Sequence, residues 1–291
     1  MTILDEIIAY KRHEELPRRK QAVGLATLRA EAAQAPRPGD FVAALRGADG
    51  VALIAEIKKA SPSQGLLCPD FDPLALAATY VQNGAAAISV LTDEKYFQGR
   101  LEHLTGIRDQ ILEISDLKIS GSKSFDETPG GQSLIPNIPT PLLRKDFIVD
   151  PYQVYESRAA GADALLLIAA VLSEAELADL LALTRELGMA ALVEVHHRQE
   201  LERVLPLGPR LIGVNNRDLR DFSVDLHTCL GLRPLVPPEV CFVAESGIRS
   251  RADVERLAAA GVDAILVGQA LVRAGDTAAR VRELAGVEVT V

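Results

Sequence analysis

Cysteine is scarce. Cys68, Cys229 and Cys241 stand far apart in 291 residues, with no C-x-x-C among them. That excludes a disulfide framework and a cysteine-based zinc site, and it suggests a reducing, cytoplasmic setting. The chain also lacks any run of about 18 apolar residues, the length a membrane-spanning helix needs. Its first residues, MTILDEIIAY, place Asp5 and Glu6 ahead of a short apolar run, the reverse of a secretory signal. Positive charge is in deficit: 31 Lys and Arg face 40 Asp and Glu, a net charge of −9. Such a surface repels phosphate backbones and argues against general nucleic-acid binding, although a local basic spot can still hold a small anion. A G-x-G-x-x-G fingerprint is missing, and so are Ser/His/Asp and Cys/His constellations.

What is present is a core and a rhythm. With 48% hydrophobic residues the chain can bury a large interior. Residues 1–47 read as helical, with Ile3, Leu4, Ile7 and Ile8 in one apolar stripe, Pro17 as a kink or restart, and Pro36 to Gly39 as the stop. Eight short apolar runs then alternate with amphipathic stretches: 51–57, 86–91, 141–147, 163–171, 190–195, 211–216, 240–246 and 263–269. Helices are expected over 72–83, 99–112, 151–160, 173–187, 250–260 and 274–285. Asp72-Pro73, Asp150-Pro151 and Ser173 to Glu176 supply start signals. NGAAAISVL, AGADALLLI and AGVDAILVG repeat one unit: a glycine at a helix end, small residues, then a strand.

Near-continuous apolar strands alternating with helices predict a parallel sheet covered by helices, and eight units predict a (β/α)8 barrel, one domain over 1–291 with an N-terminal helical extension. The competing open doubly wound sheet suits neither the count nor the missing glycine fingerprint. Residues 112–139 break the rhythm; rich in Ser, Gly, Pro and acidic residues, they read as a mobile insertion, with 111–120 extending a helix or forming a short strand.

In such a barrel, chemistry sits at the carboxyl ends of the strands. PLLRKDFI puts Arg144, Lys145 and Asp146 at one of those ends, and all three are expected to ring the mouth. Lys145 and Glu194 form the sharpest pair. A lysine among apolar residues can have its pKa lowered, and a desolvated glutamate can have its pKa raised, which suits a general acid and base; a salt bridge between strands is the plain alternative. Glu56 and Lys58 alternate to the same side, and Ser61 and Ser63 follow on a loop suited to phosphate or carboxylate, or simply solvated. Gly247 and Gly268 follow the last two strands, where backbone N–H groups can approach a phosphate; a pair of tight turns is the alternative. His196 and His197 are adjacent and point apart, so they read as a solvated helix start and not as a metal site.

AEIKKASPS, LTDEKYFQG, LLRKDFIVDPYQVYESRAAGADALLLI, LVEVH, IGVNNRDL and VAESGI, in this order, resemble indole-3-glycerol phosphate synthases over nearly the whole chain. The resemblance implies closure of the indole ring on a small phosphorylated substrate, with loss of CO2 and water and no cofactor. It implies Lys145 as general acid, Glu194 as general base, Lys58 on the substrate's anionic groups, and Glu56 and Asn215 orienting them. Arg217 is implied to face the departing carboxylate, Phe97 and Phe147 to wall the aromatic ring, and Ser61, Glu245, Ser246, Gly247, Gly268 and Gln269 to belong to the substrate- and phosphate-binding loops. The chain departs from the family pattern at Gln269 and Ala270, where an acidic residue and a serine are common, and at 112–139, where the connector is usually very short. A phosphosugar isomerase, a Schiff-base aldolase using Lys145 and an inactive phosphometabolite-binding protein are the competing functions.

Overall fold

The computed structural model describes residues 2–119, 140–218 and 222–287. The N-terminal extension is mostly helical, broken at residues 23–24 and 35–40: α1 (Ile3–Tyr10), a π-helical turn (Lys11–Glu15), α2 (Leu16–Ala22), α3 (Leu25–Gln34) and α4 (Phe41–Arg46). Thr2 and Asp5 form a capping box at the start of α1. Pro17 has no N–H to close a normal helical bond, and the widened turn lies directly before it, where the Leu16 N–H reaches the Lys11 carbonyl. Pro17 thus marks a change of pitch within a continuous rod.

Eight parallel strands follow: β1 (Ala52–Ile57), β2 (Ala87–Leu91), β3 (Leu142–Lys145), β4 (Ala164–Ile168), β5 (Ala190–Val195), β6 (Leu211–Asn215), β7 (Cys241–Glu245) and β8 (Ala264–Val267). They pair in sequence order, and β1 also pairs with β8, Ala52 opposite Ala264, so the sheet closes into a barrel. That closure decides against the open sheet.

Outside lie α5 (Pro73–Gln82), α6 (Leu101–Ile119), α7 (Pro151–Ala159), α8 (Glu174–Glu186), α9 (Arg198–Val204), α10 (His227–Leu232), α11 (Arg251–Ala259), α12 (Gln269–Val272) and α13 (Thr277–Leu284). The expected start signals operate. Asp72 and Asp150 cap α5 and α7 ahead of their prolines, and Ser173 with Glu176 makes a capping box on α8. In the repeated unit, Gly84, Gly161 and Gly261 all have positive φ, which lets the chain leave each helix and enter the next strand. Residues 111–119 continue α6, so the helix alternative holds there. The expected mobile insertion otherwise falls on 120–139, outside the described residues.

Strand alternation divides the buried residues into two cores. Leu53, Ala55 and Ile57 face outward into the layer between sheet and helices. Ile54, Leu143, Leu166, Leu192, Val243 and Leu266 fill the barrel, and Phe41 and Leu45 of α4 pack into the same cluster. The inward position nearest each carboxyl end is therefore free to carry a polar group without disturbing the packed middle.

That alternation corrects the expectation for PLLRKDFI. Lys145 alone of its three charges faces inward. Arg144 and Asp146 are fully buried on the helix side. Arg144 pairs with Asp146 at 2.9 Å and Glu156 at 2.7 Å, and its Nη1 donates to Ser157 Oγ. Lys11 closes the cluster from the N-terminal extension, reaching Asp146 at 2.8 Å, Glu15 at 2.9 Å and Asp93 at 3.1 Å. Burial opposes the charge on Lys11, yet these carboxylates outweigh it and lift its pKa above the ordinary lysine value. The chain can bury these charges because each is met by an opposite charge. β3 also ends early, at Lys145, because the Asp146 side chain takes the Phe147 N–H at 2.8 Å.

Candidate active site

A cavity of about 500 Å³ opens at the carboxyl ends of the strands. Every residue that the resemblance assigned to the site lines it. Lys145 from β3, Glu194 from β5 and Glu245 from β7 meet near its floor, with Glu56 and Lys58 at the end of β1. The Lys145 Nζ lies 3.2 Å from Glu194 Oε2 and makes a close ion pair with Glu245 Oε2. Lys58 makes a close ion pair with Glu56. The salt bridge weighed as an alternative is thus present, but as one arm of a three-member cluster.

The electrostatics reverse the expected pKa shifts. Burial disfavours the charge on Lys145, but Glu245, Glu194 and Glu56 outweigh it, and its pKa lies above the ordinary lysine value. Burial raises Glu194 too, but Lys145 and His196 overcome that and hold it well below the usual carboxylate range. Glu245 carries the raised pKa: burial pushes it up, Lys145 offsets part of this, repulsion from Glu194 and Glu56 adds to it, and it reaches about 7. Lys145 therefore holds its proton and Glu194 is ionised.

Two glycines make room for this cluster. A Cβ on Gly213 would strike Glu245 Oε1, and a Cβ on Gly268 would strike Glu56 Oε2. Gly268 has an ordinary φ, so it is glycine here for space and not for backbone freedom. Gly247 and the preceding Ser246 both have positive φ, +82 and +64, and they turn the chain sharply at the end of β7. Asn216, almost fully buried, holds that turn: its Nδ2 donates to the Glu245 and Ser246 carbonyls at 3.0 and 3.2 Å, and its Oδ1 accepts from the Cys229 N–H at 3.0 Å.

The rest of the cavity sorts by chemistry. Phe97 and Phe147 form an aromatic wall, with ring centroids 6.0 Å apart and planes tilted by 41°. Asn215 Oδ1 accepts from the Arg217 N–H at 3.1 Å, and the Arg217 guanidinium is steadied by the Phe222 carbonyl at 3.2 Å. Ser61 sits in a short hairpin beyond β1, and Ser246, Gly247, Gly268 and Gln269 line the rim after β7 and β8, the latter being the neighbour of β1.

Sequence reasoning missed three groups. Ile3, Leu4 and Ile7 of α1 form part of the wall; their apolar stripe was legible, but not the surface it covers. Arg249, Arg273 and Arg280 add cations to the rim near the last two strands; nothing in their spacing marks them. His196, expected to be solvated, is largely buried beside Glu194. His197 fits the helix start, since it caps α9 by accepting the Glu200 N–H.

With this geometry in place, comparison with known proteins becomes informative. The family model described as indole-3-glycerol phosphate synthase matches residues 4–284. The indole-3-glycerol phosphate synthase of Roseiflexus sp. strain RS-1 is 51% identical over 287 residues, covering 98% of both chains. That of Dehalococcoides mccartyi strain 195 is 51% identical over 271 residues, covering 93% of this chain and 95% of its own. Among solved structures, the 3-hexulose-6-phosphate synthase of Salmonella typhimurium aligns with a TM-score of 0.60 at 13% identity, over 81% of this chain and 98% of that one; this likeness concerns the fold alone. The close ion pairs at the barrel mouth and the near full-length match lead to one conclusion: the chain belongs to the indole-3-glycerol phosphate synthase family.

Proposed function

We propose that this chain converts 1-(2-carboxyphenylamino)-1-deoxyribulose 5-phosphate to indole-3-glycerol phosphate, CO2 and water by acid–base catalysis at the barrel mouth. The observation that carries the residue roles is the Lys145 ammonium held between Glu194 and Glu245, with Glu56 near enough to act on its charge. The carboxylate-bearing ring carbon attacks the substrate carbonyl carbon while Lys145 gives a proton to the carbonyl oxygen, where negative charge develops. CO2 departs, and the electron pair of the broken bond restores the aromatic ring. The new hydroxyl then leaves as water with a second proton, for which Lys58 is the donor, and Glu194 takes the proton lost from the neighbouring atom of the new ring. One proton is consumed overall.

Supporting roles follow from position. Glu56 and Asn215 orient Lys58 and Arg217, and Arg217 faces the carboxylate that leaves. Phe97 and Phe147 hold the benzene ring. Ser61 and the rim of Ser246, Gly247, Gly268 and Gln269 take the phosphate, with Glu245 holding Lys145; Arg249, Arg273 and Arg280 add positive charge there despite the net charge of −9. The partner is a small phosphorylated molecule and not a nucleic acid, and the working compartment is the cytoplasm. Residues 1–291 act as one domain, with the extension bound to the barrel through Lys11 and Arg19.

A Schiff-base aldolase needs a neutral amine, and Lys145 between two carboxylates is the opposite. The test is the appearance of indole fluorescence from the carboxyphenylamino substrate. The chain has no Trp, so indole emission reports product alone. Wild-type protein should give the signal, and a folded Glu194→Gln variant should lose most of it. Silence from wild type would overturn the activity, and near-normal turnover by Glu194→Gln would overturn the assignment of the base.

A further inference from the structure

Glu194, His196 and Glu200 form a line leading away from the cavity, and the reaction as derived leaves the last two unused. The strand β5 ends at Val195, and His196 follows directly, its ring folded back toward Glu194. The His196 Nε2 lies 3.3 Å from Glu194 Oε1. Its Nδ1 is hydrogen-bonded to Glu200 Oε2, also at 3.3 Å. Glu200 is itself fixed at the first turn of α9, where Oε2 accepts the His196 backbone N–H at 2.6 Å and Oε1 faces His197 Nε2 at 3.2 Å.

A neutral imidazole has one N–H and one lone pair. With a carboxylate beside each nitrogen, either neutral tautomer would aim its lone pair at an anion. A proton on both nitrogens puts the imidazolium charge beside both carboxylates, hydrogen-bonded to Glu200 and within ion-pair distance of Glu194. We propose that His196 is a positioning residue for proton transfer: an imidazolium clamped between Glu194 and Glu200, it fixes the Glu194 carboxylate, keeps it ionised, and makes it a strong proton donor once it has taken a proton from substrate.

The surrounding charges agree. Glu194 faces His196 from β5 and Glu200 from α9, while the neighbouring His197 is largely exposed. Beyond Glu194 stand Lys145 from β3 and Glu245 from β7, and Glu56, Lys58 and Arg217 line the same cavity. Burial opposes charge on the ring, yet Glu194 and Glu200 outweigh it and push its pKa up to about 10. Glu194 in turn is held low by Lys145 and then by His196.

The proposal rests on Glu194 as the base, and the experiment separates the two. kcat/KM is measured by indole fluorescence from the lowest pH at which the protein stays folded up to about pH 9, for wild type, His196→Asn and Glu200→Gln. An opposite charge within 4–6 Å lowers a carboxyl pKa by about 1–3 units. Its removal in His196→Asn should therefore move the low-pH limb up by about one unit or more, with roughly tenfold loss against wild type on the steep part of the limb and near-normal rates at pH 8. Glu200→Gln keeps an acceptor for the backbone N–H and should displace the limb in the same direction by less. An equal loss at every pH would mean a merely structural role and overturn the proposal. The side-chain resonances of His196, assigned among the five histidines, supply a readout that needs no activity and no variant to fold. An imidazolium signature persisting at pH 8 in wild type supports the clamp, and a neutral ring at pH 7 overturns it. If Glu194→Gln turned over normally while His196 stayed protonated, the assignment of the base would fail and the clamp would not.

Discussion

Lys145 and its neighbours Arg144 and Asp146 share one strand and enter two different charge clusters. On the helix side, Arg144 and Asp146 join Lys11, Glu15, Arg19, Asp93 and Glu156, where each cation touches at least two carboxylates and Lys11 touches three. Lys11 and Arg144 have no exposed surface. On the cavity side, Lys145, Glu194, Glu245, Glu56 and Lys58 face a space of about 500 Å³. Both clusters pair basic side chains with carboxylates. They differ in what lies on the open side. The outer cluster is sealed by the N-terminal helices and can only hold the fold together. The inner cluster is open on one side, and burial, with repulsion from Glu194 and Glu56 added, pushes Glu245 up to about 7, so protons can move within it.

The comparison predicts that breaking the inner cluster costs rate and breaking the outer one costs stability. The largest effect is expected for Lys145→Ala: kcat should fall by roughly two to four orders of magnitude, the span of a positioned acid, while the variant stays folded by circular dichroism. Near-normal turnover would erase the distinction. Lys11→Met leaves three buried carboxylates without their ammonium, and removing one partner of a buried pair costs about 3–5 kcal/mol. Urea titration should show that loss. KM should rise more than kcat falls, because Ile3, Leu4 and Ile7 of the helix that Lys11 anchors form part of the cavity wall.

Gly268→Ala sharpens the contrast at one atom. The added Cβ collides with Glu56 Oε2, and the φ of −123° lies outside the left-handed region that favours glycine. Displacing a reacting group by about 1 Å can cost a hundredfold, so kcat/KM should fall ten- to a hundredfold with little change in melting temperature. An unchanged kcat/KM would show that Glu56 has room to move.

The smallest expected effect is a pH dependence of stability. The pKa of His196 rises from an ordinary 6.5 to about 10 in the folded protein. A base whose folded pKa is raised contributes stability that is fully present below pH 6.5 and is lost as pH climbs toward 10. Denaturant titrations should show wild type losing stability across that window, and His196→Asn should flatten the slope there. Identical slopes would mean that the ring is not charged in the folded state.

The barrel was legible because it rests on local pattern. Eight apolar runs, glycines such as Gly161 at helix ends, and caps such as Ser173 each depend on neighbours within a few residues. That the polar strand ends share one cavity was legible too, through their place in each strand. The fates of individual charges were less so. Period-two alternation separates Lys145 from Arg144 and Asp146, but it does not say that a lysine 135 positions earlier, Lys11, returns to meet Asp146. Nor does it show that the stripe of Ile3, Leu4 and Ile7 covers the cavity.

Sequence alone determined the (β/α)8 architecture, because strand and helix periods are short-range properties of hydrophobic burial. It also determined which side chains could reach the mouth, because strand alternation is geometric. Tertiary structure decided which protons those side chains keep. Lys145 stays charged and Glu245 carries the raised pKa because residues 49 and 100 positions away converge on one ammonium in a partly desolvated space. Coulomb energy depends on distance and surroundings, and neither is written in the spacing along the chain.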